Sequence, residues 1–456
     1  VPGQAGKVPS LPARKLFLGR GPRAQRQRDY EVTMSDPTKA RTAPRKKINA
    51  AADAAQFMSD YYYELDRHAK TGEKKIAWCT SVGPAELLRS LGFSVYFPET
   101  HSAMLGTTRM ATDCIPHATA LGYSPEVCSY LSADIGAFVQ GITPLSKAFK
   151  GIERVPRPDV LVYNTNQCRD VQDWFGWYAK KFNVPVLGVS GNRSVEDSKS
   201  SIVSSVAKQF EELVAPLEQL SGQKFDIDRL REIVALSRQC SDLWKEVLET
   251  ASARPAPLTF YDGCTLKGPA VVGRGTAAAN EVYRKLLAEL KDRVARKDGA
   301  VENERFRIYW DGMPIWGRLG AHAGLFAELK ACVLASTYCS SWIFTALDSR
   351  DPFRSMAQAY TDLFIVRSDS FKERYIKDKL AFFGIDGIIY HDAKTCPNNS
   401  NCRYGLSQRL DEETRIPSVT IHGDLNDLRC VSDEQTKTNI EAFVELLAER
   451  AQARTN

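Results

Sequence analysis

The chain has 456 residues, of which 43% are hydrophobic and 25% charged, the proportions of a folded globular protein with two or three domains. Its net charge is +6, but residues 1–33 hold seven Lys or Arg against Asp29 and Glu31, so the remainder stands at +1 and presents no nucleic-acid footprint. No apolar run reaches the ~20 residues of a spanning helix, and no secretory pattern is evident. A cytoplasmic protein with no membrane and no nucleic-acid partner is expected.

Residues 1–46 are basic, rich in Pro, Gly and Arg, and without periodicity, which predicts a disordered tail. Met34 opens MSDPTKARTAPRKK and reads as a more natural start. The expectation is that residues 1–33 are absent from the native protein, with a basic targeting tail as the alternative.

Residues 47–70 (KINAAADAAQFMSDYYYELDRHAK) place Ala, Met and Tyr at helical spacing and predict a helix. A strand at Ile76–Trp78 follows, then a helix opened by Gly83 and Pro84 and ended at Gly92, then a strand at Ser94–Phe97. This is a βαβ unit, with Pro84 suited to a first helical position. Asp159–Tyr163 (DVLVY) is another apolar strand, followed by an aromatic-rich helix (DWFGWYAKKF) and the strand in NVPVLGV. Residues 198–250 give no strand signal. Their two amphipathic stretches, SSIVSSVAKQFEELVAPLEQL and FDIDRLREIVALSRQCSDLWKEVLETA, predict two helices split by SGQK. Four prolines and glycines in 252–268 mark a boundary, a helix is predicted over 280–297, and from Arg305 the α/β pattern resumes. The expected domains are a first α/β domain with an N-terminal helix over 47–197, a helical region over 198–300, and a second α/β domain over 301–456.

The two α/β regions resemble each other. Ile76-Ala77-Trp78 and Ile308-Tyr309-Trp310 each precede a loop and a helix. Asp159…Tyr163 is followed five residues on by Cys168, a helix, Val184-Pro185 and a strand near Gly188. Asp386…Tyr390 is followed six residues on by Cys396, a helix, Ile416-Pro417 and a strand ending at Gly423. The matched order predicts an internal duplication of an α/β domain.

Eleven cysteines is an odd and high count, and without a secretory context it predicts buried thiols or metal ligands rather than a disulfide framework. In open α/β sheets functional groups gather at the carboxyl ends of strands, and Cys168 and Cys396 both sit just past such ends. A duplicated fold can aim both ends at one cleft. Cys128 lies in GYSPEVCSYLSADIGAF, where Pro125 and Glu126 look like a helix start, so Cys128 is expected in a first helical turn that favours a thiolate. Three converging thiolates suit an iron–sulfur cluster. There is no CxxC pair and no ferredoxin-like run, and Cys396 and Cys402 are too far apart for a zinc knuckle. Buried or loop thiols therefore remain the alternative.

The segments GYSPEVCSYLSADIGAF, LVYNTNQC and YHDAKTC, with WCTSVGPAELL and YFPET, resemble the benzoyl-CoA reductase and 2-hydroxyacyl-CoA dehydratase family. The likeness runs from about Lys47 to the C-terminus. It implies two flavodoxin-like domains plus helical parts, a related partner subunit that also bears a cluster, and a 4Fe-4S cluster on Cys128, Cys168 and Cys396. Within the family, YHDAKTCPNNSNCRYG and WCTSVGPAELLRSLGFSVYFPE look most like the B-type subunit of the ATP-dependent benzoyl-CoA reductase. That resemblance implies two-electron reduction of benzoyl-CoA to a cyclic dienoyl-CoA. The dehydratase relatives remove water from a 2-hydroxyacyl-CoA with one recycled electron, and a non-catalytic scaffold subunit is a further alternative. The chain carries no GxxxxGK[ST] phosphate loop, so separate ATP-hydrolysing subunits, fed by a ferredoxin-type donor, are expected to energise the electron.

Other candidates are weaker. Ser81 could hydrogen-bond the thioester, or could be a turn hydroxyl. Glu99 and His101 close YFPETH and are expected as a proton-delivery pair, or as loop residues. Cys79 is read as a strand-end thiol rather than a ligand, and Cys402 as a spare that could replace Cys396. His391 and Asp392 could tune the cluster by hydrogen bonds. Trp78, Trp310 and Trp316 read as core. N-terminal sequencing of the native protein checks the start: a chain beginning near Met34 is expected, and one beginning near Val1 rules that reading out.

Overall fold

The computed structural model describes residues 47–191 and 199–455. The basic tail expected over 1–46 lies outside them. Among the described residues eight strands form two four-stranded, wholly parallel sheets. The first sheet holds β1 (Ile76–Cys79), β2 (Ser94–Tyr96), β3 (Val160–Asn164) and β4 (Val186–Val189) in the order β2-β1-β3-β4. The second holds β5 (Phe306–Asp311), β6 (Ala331–Ser336), β7 (Gly387–Ala393) and β8 (Ser418–Gly423) in the order β6-β5-β7-β8. Each repeats the start of the flavodoxin-like order. The strands β1, β5 and β6 are buried throughout, because helices cover both faces of a parallel sheet; their sequences accordingly read as apolar runs without alternation.

The duplication extends to single hydrogen bonds. The Asp159 carboxylate accepts from the Ile76 amide at 2.8 Å, and the Ile76 carbonyl accepts from the Asp159 amide at 2.8 Å. In the second half Asp386 accepts from the Arg307 amide at 2.9 Å, and the Arg307 carbonyl accepts from the Asp386 amide at 2.8 Å. The aspartate thus fixes the start of the central strand pair in both sheets.

The helix α1 (Ala51–Thr71) packs on the helical middle of the chain. The connection from β1 to β2 is α2 (Ala85–Ser90). A long connection, α3 (Pro98–Thr107), α4 (Ala111–Thr119), α5 (Ser129–Gln140) and α6 (Leu145–Ala148), joins β2 to β3, and α7 (Asp170–Phe182) joins β3 to β4. Helices α4 and α5 approach so closely that a Cβ at Gly136 would lie 2.0 Å from the Cys114 carbonyl oxygen, a contact only glycine permits.

The helical middle contains α8 (Ser200–Glu212), α9 (Val214–Ser221), α10 (Ile227–Glu249), α11 (Phe260–Leu266), α12 (Gly268–Val272) and α13 (Ala277–Ala295). Two expectations change here. The first predicted helix is broken between α8 and α9 around Leu213; Pro216 has no N–H to give the Glu212 carbonyl, and its ring crowds that carbonyl. The stretch 252–268, read as a boundary, contains α11, started by a capping box between Thr259 and Asp262. Glu289 of α13 accepts from the Asn49 and Ala50 amides at 2.9 and 2.8 Å, capping α1 from outside.

In the second half α14 (Leu319–Glu328) joins β5 to β6, and α15 (Thr337–Ser340), α16 (Pro352–Thr361) and α17 (Asp369–Phe383) form the long connection to β7. α18 (Leu406–Thr414) leads to β8, and α19 (Asp433–Thr455) follows it. No helix among the described residues is long and apolar enough to cross a membrane.

The Arg274 guanidinium joins the three regions. It is buried, and it donates to the Ser81 carbonyl (2.7 Å), the Gly83 carbonyl (2.8 Å), Glu86 (3.2 Å) and the Tyr360 hydroxyl (3.1 Å). Removing one partner of such a buried pair strands the other charge. Arg274→Ala is therefore expected to cost about 3–5 kcal/mol, read as a lowered midpoint in thermal unfolding; an unchanged midpoint would refute the assignment.

Candidate functional site

Three loops, each carrying one cysteine, meet where the carboxyl ends of the two sheets approach. Cys128 is the N-cap of α5. Cys168 lies between β3 and α7. Cys396 is the N-cap of a short 3₁₀ turn, Pro397–Asn399, after β7. Hydrogen bonds tie the loops in pairs. The Ser129 amide donates to Thr395 Oγ1 at 3.0 Å, joining the Cys128 and Cys396 loops. The Cys128 amide donates to Asp170 at 3.1 Å, joining it to the Cys168 segment. Asn398 Nδ2 donates to the Gln167 carbonyl at 3.2 Å, joining Cys168 to Cys396.

Backbone N–H groups of the helix or turn that follows each cysteine favour its charged form, Leu131 at Cys128, Asp170 and Val171 at Cys168, and Asn399 at Cys396, although neither Cys128 nor Cys396 closes a side-chain capping hydrogen bond. Cys128 is thus a cap and not a first-turn residue, and Pro125 and Glu126 form a turn before it. The expected thiolate stabilisation is outweighed in the metal-free chain. Burial pushes the Cys128 thiol well up, and its neighbours Cys168 and Cys396 push it further. Burial pushes Cys168 up to about 12, with Asp170 adding to it. Cys396 is also pushed up to about 12 by burial and then by Cys168.

Among the described residues no three His, Cys, Asp or Glu side chains close on a point as the ligands of one ion do. The donor chemistry of the three thiols nevertheless fits a cluster. All are free and half-buried, they are near enough to perturb one another, and N–H donors to sulfur are the groups that tune such a centre. Cys402 lies in the next turn and is surrounded by Asp392, Asp311 and Arg403 rather than by the other thiols. Cys79 ends β1, fully buried against Gly83 and near Arg274.

The three loops also build one wall of a cavity of about 370 Å³. Tyr130, two residues after Cys128, Gln167, beside Cys168, and Asn399, whose amide donates to the Cys396 carbonyl at 3.1 Å, all line it. Ser81 and Glu99 complete this polar end. The Ser81 amide donates to one Glu99 oxygen, and Gln167 Nε2 donates to the other at 3.0 Å. Burial raises the Glu99 pKa, while the bonds from Ser81 and Gln167 hold it down. The remaining walls are apolar and aromatic, including Trp316, Tyr338, Trp342 and Phe364. Trp316 is therefore both buried and a cavity wall, with its indole N–H donating to the Tyr130 hydroxyl. Trp78 and Trp310 belong to the core.

The expected Glu99–His101 pair does not form. Both lie on α3, and two helical positions differ by about 200° in direction. His101 faces away, with Nδ1 2.5 Å from Asp134 and Nε2 2.9 Å from Thr143. His391 Nδ1 bonds the Met313 carbonyl at 2.6 Å while its Nε2 is buried without a partner among the described residues, and Asp392 pairs with Arg403 and His422. Sequence reasoning missed Tyr130, Gln167 and Asn399, whose only signal was nearness to each cysteine. It also missed Lys267, a single cation in the apolar run TLKGPAVV.

Residues 80–447 match the family model described as 2-hydroxyglutaryl-CoA dehydratase, D-component. The chain is 28% identical over 388 residues to the (R)-2-hydroxyisocaproyl-CoA dehydratase alpha subunit of Clostridioides difficile, covering 84% of this chain and 92% of that one. It is 27% identical over 426 residues to the B-type subunit of the benzoyl-CoA reductase of Thauera aromatica, covering 89% and 96%. With the lactoyl-CoA dehydratase alpha subunit of Anaerotignum propionicum it shares 25% over 407 residues, covering 86% and 96%.

Asp424 holds two of the cysteine loops together, accepting from Ser129 Oγ at 2.5 Å and from the Thr395 amide and hydroxyl at 2.9 and 2.6 Å. Asp424→Ala strands these donors at a cost of about 1–3 kcal/mol. The expected outcome is faster reaction of Cys128 and Cys396 with a thiol reagent in the metal-free protein. Wild-type labelling rates would contradict it.

Proposed function

The chain belongs to the 2-hydroxyglutaryl-CoA dehydratase D-component family, and from that premise we propose that it is the cluster-bearing subunit of an ATP-dependent benzoyl-CoA reductase. The reaction adds two electrons and two protons to the aromatic ring of a benzoyl thioester and yields a cyclic dienoyl-CoA. The observation that carries this reading is the shared wall: every cysteine loop supplies a side chain to one aromatic-lined cavity. Aromatic walls suit a planar ring, which packs on them by offset or edge contacts.

In this reading Cys128, Cys168 and Cys396 hold a 4Fe-4S cluster, and Cys402 does not. When bound, the cluster supplies low-potential electrons at the polar end of the cavity. The chain's own residues bind, orient and protonate. The apolar walls exclude water from the acyl group, and Gln167 and the Ser81 amide fix the Glu99 carboxyl. Burial favours the protonated form of Glu99, which leaves it able to deliver a proton at the cavity surface. The His101 position, on the other face of α3, gives it no part in that delivery. The relatives are named as single subunits of larger enzymes, of alpha type in the dehydratase and of B type in the reductase. Those names support a further subunit as partner; that it bears a cluster, and that ATP-hydrolysing subunits and a ferredoxin-type donor stand upstream, is part of the same proposal.

The second reading is a 2-hydroxyacyl-CoA dehydratase subunit, favoured by the names of two of the three relatives above. The complex with its partner, purified without oxygen and given ATP and a strong reductant, separates the two. Dienoyl-CoA from benzoyl-CoA, with two electrons consumed per turnover, is expected. Dehydration of a 2-hydroxyacyl-CoA with no net electron use would replace the reductase reading. Iron counting on single variants tests the ligands: Cys128→Ser, Cys168→Ser and Cys396→Ser should each lose most of this subunit's iron, and Cys402→Ser should retain it. Full activity of Cys128→Ala and Cys396→Ala beside a wild-type partner would make this subunit a scaffold. Glu99→Gln is expected to keep its iron and lower kcat by about 10²–10⁴-fold, and unchanged turnover would remove Glu99 from proton delivery.

A further inference from the structure

Lys267 stands between α11 and α12 and is only 4% exposed. It also lines the cavity. Its Nζ lies 3.4 Å from the Tyr338 ring centroid and 4.9 Å from that of Trp342. Among the described residues no carboxylate, carbonyl or hydroxyl accepts a hydrogen bond from it. Cys339, Cys264 and Glu99 attract it through space, while burial pulls its pKa down to about 8.

Two aromatic faces stabilise an ammonium only in part, and its three N–H donors remain to be satisfied. In the open cavity water can do so. An acyl group that fills this apolar space displaces that water, and a buried cation left without an acceptor is costly. A ligand that binds well must therefore bring its own acceptor to Nζ. Two other buried cations are provided for: Arg274 has Glu86 and three carbonyls, and Arg307 has Glu304 and three carbonyls. Lys267 is set apart by facing the cavity without such partners.

We propose that Lys267 is a substrate-binding residue that donates to an oxygen carried by the acyl group, either the thioester carbonyl or a hydroxyl substituent on the acyl moiety. The inference rests on the reading that the cavity takes an acyl-CoA, but not on whether that thioester is reduced or dehydrated. The same contact makes Lys267 a determinant of substrate choice, since a site built to pair a buried polar group rejects analogues that leave it unpaired.

The test is calorimetric titration of the anaerobic complex, wild type and Lys267→Met, with benzoyl-CoA, 3-hydroxybenzoyl-CoA and free CoA, without reductant. If the acceptor is the carbonyl, Lys267→Met weakens both thioesters about 10- to 100-fold and leaves free CoA unchanged. If the acceptor is a substituent, only 3-hydroxybenzoyl-CoA is weakened. Dissociation constants within about twofold of wild type for both thioesters would overturn the proposal and leave Lys267 a structural cation. Because only the ammonium donates three N–H groups, wild-type binding should weaken as pH rises past the Lys267 pKa, and the variant's profile should be flat. The groups facing Lys267, namely Cys264, Cys339, Tyr338 and Glu99, are present in both proteins, but Lys267 helps to hold the Cys339 pKa down, so the comparison is repeated in a Cys339→Ala background, where a loss of affinity with rising pH that the methionine variant lacks reports Lys267. Lys267→Gln, read in the same way, replaces the methionine variant if that protein fails to retain iron. A wild-type complex that binds free CoA and both thioesters equally would instead refute the acyl-CoA reading of the cavity itself, and this inference with it.

Discussion

The buried carboxylate of Asp424, just beyond β8, is the point on which the candidate site depends. It accepts from the hydroxyl of Ser129 at the start of α5, from both donors of Thr395, and from the amides of Asn426 and Asp427 at 3.0 Å. A carboxylate without exposure needs this many donors, and here they come from both halves of the chain. The Ser129 amide on Thr395 Oγ1 closes the same junction from the other side. Residues 128 and 396 are far apart in sequence, and these few bonds are what bring their loops to one place.

Parallel topology explains why the Cys168 and Cys396 segments, which follow β3 and β7, reach that place, while Cys128 is brought there by α5 from within the long connection between β2 and β3. Each strand of a parallel sheet delivers its chain to the same edge, and the following helix starts there with unpaired N–H groups. Two such sheets facing each other concentrate partial positive charge at one location. The N–H groups near the cysteine sulfurs favour thiolates, yet burial outweighs them and pushes all three thiols up. Metal centres reverse that balance, since bound thiols are deprotonated. A site with this character is poor at carrying bare thiolates, which is the ground on which a cluster is proposed for it.

The cavity shows a division of labour set by helix geometry. On α3, Glu99 faces the cavity and the Cys168 loop, whereas His101 joins Asp134 and Thr143 in a separate buried network. A two-residue separation on a helix cannot place both side chains at one site, and reading YFPETH as the end of a strand concealed this. Likewise, α5 begins at Ser129, beyond its Pro125-Glu126 lead, which makes Cys128 the residue that caps the helix and not one of its first turn.

Sequence alone determined the elements and their repetition. The apolar runs at Ile76, Asp159, Ile308 and Asp386 announced buried parallel strands, and the repeated aspartate signalled the duplication because its role is local: it caps the strand next to it. Motif likeness likewise singled out three of eleven cysteines. Tertiary structure decided what local patterns do not encode. The pairing of Cys168 with Cys396 depends on how two sheets face each other. The cavity walls at Tyr130, Gln167 and Asn399 follow from loop closure across hundreds of residues, and Lys267 acquires meaning only from the rings of Tyr338 and Trp342 folded over it. Hydrophobic period and turn chemistry act over a few residues, whereas a buried charge is defined by whatever the rest of the chain places, or leaves out, around it.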